Sequence, residues 1–299
     1  MTKLKAFIIS LVFSTAFTSC IYDDLQTCPS LQINLAVKDK NYSNVDQVEF
    51  EERLPEDMPF KEYIPTLYYR LSQLNDDGSK QLIEEKGVFS VEGEEQEYAI
   101  PIEGNLPFGK YIITVWGGIP SKEELNEDCT ELSFHPEHTQ GYDNYLASDT
   151  ITYDFDHHQF TEEMRRTKGK LIILAEDLPR DIRFSGKTVD GLYGKVNTAF
   201  TYSDQTSVTT HQTRRGMDNI LTETFLTPSI KKNGSLLDTN FYDDNDFTHP
   251  EITPKDVNIT MRRNELTVLK YVYDAQDQQF YIYILVNNNW ERIHDMILD

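Results

Sequence analysis

The chain is poor in basic residues, in cysteine and in long apolar runs, and each shortage excludes something. Its 299 residues carry 28 Lys plus Arg against 50 Asp plus Glu, a formal charge of −22. No basic block interrupts this acidic excess, so the summed field repels phosphate and nucleic acid is excluded as an expected partner. The longest apolar run, residues 6–17, is about twelve residues long, whereas a helix crossing the bilayer core needs roughly twenty. Glycine and proline are sparse at 14 and 12 against 17 Tyr and 16 Phe, and 38% of residues are hydrophobic. That composition is too aromatic for a disordered chain, and the length allows one large domain or two ordinary ones.

The run 6–17 follows Lys3 and Lys5 and ends in Thr18 and Ser19 before Cys20. A positive start, a short apolar stretch and a small-residue exit read as a secretory signal over residues 1–19. Phe17-Thr18-Ser19-Cys20 resembles a bacterial lipobox, with Phe17 in place of the usual Leu, and this implies lipidation of Cys20. Several acyl chains on one residue, at ~0.8 kcal/mol per buried methylene, hold a soluble domain on a membrane. The following Ile21-Tyr22-Asp23-Asp24 is similar to the acidic export signal of Bacteroidetes lipoproteins, which implies the outer face of the outer membrane. Cleavage would remove two Lys and no acid, taking the formal charge from −22 to −24. Cys28 and Cys129 would then remain as a bridge or as two separate buried thiols. A bridge closing a loop of ~100 residues would contribute up to ~4.7 kcal/mol in the chain-entropy model.

Beyond a linker over 20–30, alternation predicts strands. Residues 31–37 alternate apolar and polar with period two, the pattern of a strand with one face in a core. Residues 68–74 and 81–84, joined by Asn75-Asp76-Asp77-Gly78, read as a hairpin. Residues 97–102 form another strand, and 110–116, β-branched, aromatic and bounded by Gly, read as central with Trp116 buried. A helical turn at 121–125 and a strand at 149–155 follow. Residues 156–168 are polar without period two and read as a linker, which divides the chain into domains at 31–167 and 168–299. In the second half, strands are expected at 169–175, 183–184, 196–202, 207–212, 220–226, 257–263, 267–273 and 280–286, with 274–277 as a hairpin loop. Many short strands without long helices favour antiparallel sandwiches.

No catalytic constellation is legible. Gly186-Lys187-Thr188 has the tail of a phosphate-binding loop but Asp181 where its leading Gly should stand. Asp154-Phe155-Asp156-His157-His158 offers zinc-like ligand types, yet neighbours on a strand point to opposite faces. The run 242–246 lacks the Gly and distal Glu of a helix-loop-helix calcium site. Glu84-Glu85 and Glu94-Glu95 are adjacent rather than opposed across a glycosidic bond. Asp149-Thr150-Ile151 resembles a Bacteroidetes O-glycosylation acceptor, with a plain strand start as the simpler reading. No catalytic residue, cofactor or metal is therefore expected.

With Cys20, Asp23-Asp24 and Cys28-Pro29 in sequence, the opening segment resembles that of the Bacteroidetes fimbrial anchoring lipoproteins, the minor fimbrium anchor subunits. The run 106–116 is similar to that family's Pro-x-Gly-x-Tyr strand. The resemblance implies an all-β fold of two tandem transthyretin-like, Greek-key β-sandwich domains. It also implies a structural role, anchoring fimbriae to the outer membrane by β-strand complementation with a fimbrillin shaft subunit. The C-terminal strand, with Phe280, Ile282, Ile284 and Val286 on one face, is expected to make or support that contact, or simply to close the core. A surface glycan-binding lipoprotein is the alternative, with Tyr68, Tyr69 and Trp116 as stacking candidates, and a hydrolase is third.

Overall fold

Alternating strands dominate a computed structural model of the chain, which describes residues 29–49, 51, 53–214 and 219–293. In chain order they are β1 (Gln32–Val37), β2 (Thr66–Leu74), β3 (Lys80–Ser90), β4 (Glu97–Ile100), β5 (Gly109–Gly117), β6 (Glu131–Ser133), β7 (Tyr145–Tyr153) and β8 (Gln159–Arg166). They continue as β9 (Gly169–Glu176), β10 (Phe184–Asn197), β11 (Tyr202–Thr213), β12 (Ile220–Leu226), β13 (Ser235–Tyr242), β14 (Val257–Ile259), β15 (Leu266–Asp274), β16 (Gln279–Val286) and β17 (Asn289–Arg292).

The first sheet runs β3-β2-β5-β7-β8-β1-β4. Its ladder between β7 and β8 is confined to Tyr145↔Arg166 and Leu146↔Arg165, beyond which the two strands part. The sheet thereby folds over into two layers. Ile33 and Leu35 of β1 and Met164 of β8 pack in one core cluster with Leu67 and Leu71 of β2 and Ile113 and Val115 of β5.

The second half repeats this plan without repeating the sequence. β11-β10-β13-β14 faces β12-β9-β15-β16-β17, and Val189, Leu237 and Phe241 of one sheet meet Ile173, Leu269 and Tyr271 of the other. In each half the opening strand lies between an antiparallel and a parallel partner: β1 between β4 and β8, β9 between β12 and β15. The hairpin β16–β17 has no counterpart in the first half. Both halves are β-sandwiches, and the all-β expectation holds.

Three local readings need correction. Most of the segment read as a linker is β8, paired parallel to β1. Its inward set is Glu162, Met164 and Arg166, and two charges among three positions hide the period that apolar residues would have shown. The middle of the expected strand 196–202, residues 198–201, is the turn between β10 and β11, where Phe200 takes a positive φ of 56° and the Asn197 side chain accepts from the N–H groups of Ala199 and Thr201. β13, unread in the sequence, is a central strand of its sheet.

β5 is covered on both faces, which explains its near-continuous apolar run. Val115 faces the first sandwich core. Trp116 instead joins Leu132, Cys129 and Val196 in a cluster shared with β10, and its indole N–H donates to Cys129 O at 2.9 Å. There β6 leaves the first half and pairs with the end of β10. A buried polar knot closes the same junction. Arg166 donates to Asp143 at 2.8 Å and Asn264 at 2.6 Å and stacks over Tyr42 at 4.2 Å, while Asp39 accepts from Arg263 at 2.7 Å. Gly118 turns the chain out of β5 at φ 70°, where a Cβ would lie 2.1 Å from Asp143 O.

Candidate functional site

A concave surface lies where the two halves of the molecule differ. β14 has three residues where its topological counterpart β7 has nine. Past β14, the lane beside β13 holds only the isolated bridge Phe241↔Ile252. The seam that β7 and β8 begin to close in the first sandwich therefore stays open in the second, and β16 overhangs it. The result is a cleft of about 520 Å³ between residues 252–258 and β16, with Ile252, Val257, Phe280 and Ile282 among its lining.

The sequence dictates this overhang locally. Asp274 accepts from the N–H groups of Gln276 and Asp277, fixing the loop between β15 and β16. Asn287 and Asn288, at φ 48° and 63°, then make the two-residue turn into β17, with Val286 opposite Asn289. Positive φ at both positions is the demand of a type I′ hairpin turn, and Asn meets it at low cost. That Asn pair is the signal in the sequence for β17, a strand absent from the expectations above.

Of the four residues expected to touch a polymer, three turn inward. Phe280 stacks on Phe241 at 5.0 Å, Ile282 is buried, and Ile284 packs on the same core. Val286 is half-buried at the turn. β16 is paired on both sides, by β15 and β17. Cys20 and Cys28 lie outside the described residues, and Cys129 is buried. The stacking candidates Tyr68, Tyr69 and Trp116 are fully buried and cannot serve as a glycan platform.

The other sequence candidates resolve into turn and core chemistry. Asp154 Oδ1 accepts from the N–H groups of Asp156 and His157 at 2.9 and 2.8 Å, and these bonds with the His157 ring hold its carboxyl below the usual range. Asp244 and Asp246 likewise accept from backbone two residues on. Among the described residues no three His, Cys, Asp or Glu converge as a metal site. Lys187 lies mid-strand in β10 and points into the second core, where its ammonium donates to Thr222 Oγ1 at 2.6 Å. Desolvation lowers its pKa to about 7. His135, buried at the junction, is lowered to about 3 by desolvation and then by the charge of Lys168. Both groups are enclosed by packing, away from the cleft. Among the described residues that line the cleft, no nucleophile is paired with a base.

No protein-family model and no curated protein matches the chain. Solved structures do. A candidate adhesin from Bacteroides thetaiotaomicron VPI-5482 aligns with a TM-score of 0.58 at 12% identity, over 91% of this chain and 100% of its own. A candidate polysaccharide-binding protein from the same strain aligns with a TM-score of 0.55 at 11% identity, over 89% of this chain and 99% of its own. The fimbrial anchor protein Mfa2 from Porphyromonas gingivalis aligns at 0.49 and 14% identity, over 89% of this chain and 100% of its own. At such identities the likeness is one of fold, and the first two alignments carry it.

Proposed function

We propose that the chain is a non-catalytic cell-surface lipoprotein that anchors fimbriae to the outer membrane. The observation that carries this reading is the extent of the fold likeness. It spans 91% of this chain and the whole of a candidate adhesin, so the resemblance is to an entire two-sandwich architecture rather than to one common β-module. The lipobox at Cys20 and the acidic pair Asp23-Asp24 support lipid anchoring and export to the outer face. In this reading residues 31–167 and 168–299 are two domains, and the buried junction around Arg166 lets them transmit force as one body.

The shaft subunit engages the C-terminal hairpin. Phe280, Ile282 and Ile284 support the contact from the core, and β17, the outermost strand of its sheet among the described residues, receives an incoming strand by β-augmentation. Two experiments test the proposal. Palmitate labelling should reach the wild-type chain and not Cys20→Ala, and peptide mapping of the same material without reductant reads whether Cys28 and Cys129 are joined. A chain truncated after Val286 should fold, by circular dichroism, and lose the shaft in pull-downs. An unlipidated amino terminus, or a folded truncation that still retains the shaft, refutes the reading.

A further inference from the structure

The outward face of the C-terminal hairpin carries a different surface from its edge. Register sets Val272 opposite Tyr281, Lys270 opposite Tyr283, Tyr283 opposite Arg292 and Leu285 opposite Trp290. Directly opposed residues of antiparallel strands share a face. Since side chains alternate along a strand, Tyr281 and Tyr283 point away from the core that Phe280 and Ile282 fill. The Lys270 ammonium lies 4.4 Å from the Trp290 ring centroid and 5.8 Å from that of Tyr283. The Arg292 guanidinium lies 4.0 Å over Tyr281. Trp290, Lys270, Tyr283, Arg292 and Tyr281 thus form a strip in which rings and cations alternate. All three rings are half-buried, Trp290 with one side against the cluster of Tyr42, Val45 and Val268, and Arg292 is exposed.

Charge sets this strip apart. In a chain of net −22, neither Lys270 nor Arg292 forms an ion pair among the described residues; their contacts there are with rings. A cation held over a ring keeps its full charge, because the ring contributes a quadrupole and no net charge. On the same face Asp274 and Asp277 lie at the hairpin tip, and Glu176 stands opposite Val272, one strand in from the strip and, among the described residues, without an ion pair to it. Asp274 is tied to the turn backbone there, and Asp277 accepts from the Tyr281 hydroxyl at 3.1 Å.

Ring faces stack on the C–H faces of pyranose sugars, and unpaired cations attract carboxylate. A neutral glycan would use the rings and leave the cations idle, whereas an acidic peptide would use the cations without needing ring faces in a row. The geometry points to a stacking strip for an acidic polysaccharide, one with carboxylates on its pyranose rings. This inference needs neither the lipid nor a shaft subunit, and it fails or stands apart from them.

The chain has two Trp. Trp116 is fully buried, so an emission change on adding polymer reports on Trp290. The full-length chain in detergent is titrated with polygalacturonate, with dextran as neutral sugar and poly-glutamate as charge without sugar. Saturable quenching by polygalacturonate is expected, with no response to dextran and a weak one to poly-glutamate. Binding should weaken at least tenfold in Tyr283→Ala and in the double variant Lys270→Gln/Arg292→Gln, and Tyr283→Phe should bind as wild type. The exposed charge variant carries the test if Tyr283→Ala does not fold. An equal response to poly-glutamate would make the strip a peptide surface. That result, or polygalacturonate binding unchanged in the charge variant, or no quenching at all, overturns the inference.

Discussion

Replacing Lys187 by Met should stabilise the protein, by an amount that depends on pH in a defined direction. The ammonium sits in the second core beside Ile173, Ile220 and Phe241, with Thr222 as its hydrogen-bond partner. Desolvation is the cause of its lowered pKa, about 7 against 10.5 for a free side chain. Between those values the unfolded chain holds a proton that the folded chain does not, so this group makes stability rise with pH across the window from 7 to 10.5. At pH 7 the resulting penalty is at most about 4 kcal/mol, because each pH unit in that window is worth ~1.4 kcal/mol and the folded amine is by then half deprotonated. Met matches the stem in length and removes the charge, while Thr222 loses a hydrogen bond worth about 1 kcal/mol. A net gain of roughly 1–3 kcal/mol at pH 7 is expected, shrinking to about zero or below by pH 10.5. Urea unfolding of both chains at pH 7, 8.5 and 10 measures it. A Met variant that loses stability at pH 7, or gains equally at all three, would show that the amine is neither desolvated nor titrating in this window.

Gly118→Ala should cost about 2–4 kcal/mol, because it combines a positive φ with a Cβ driven into a backbone oxygen; a change under 0.5 kcal/mol in chemical denaturation would count against that geometry. His135 sets an acid limit. Its folded pKa, about 3, lies below its unfolded value of 6.5, so the stability it permits is fully present above pH 6.5. That stability is lost as pH falls toward 3, with a slope of up to ~1.4 kcal/mol per pH unit. His135→Gln should flatten that slope in thermal scans between pH 6.5 and 4, and an unchanged slope would assign the acid sensitivity elsewhere.

What could be read along the chain was whatever a single strand declares by itself. The alternation at 31–37, the Gly-bounded run at 110–116 with its buried Trp116, and the turn after Leu74 all appear where local pattern placed them, because each depends only on which face a side chain takes. Acidity and the all-β class likewise follow from residue types and their local pattern.

Where pattern failed, a partner supplied the missing half. β8 hides its period because Glu162 and Arg166 face inward, and Arg166 is tolerable there only because Asp143 and Asn264 come to it from the loops that lead into β7 and β15. Tyr68 and Trp116 become core because β6 and β10 cover them, and a cover of that kind is a long-range event that composition does not record. The alternation of β16 was legible from the start. Which of its faces meets the core was decided by packing against β13, and the opposing β15 and β17 turned the other face into a row of rings and charges. Local chemistry thus fixed the elements, and the pairing of distant strands decided which of their surfaces remain available to a partner.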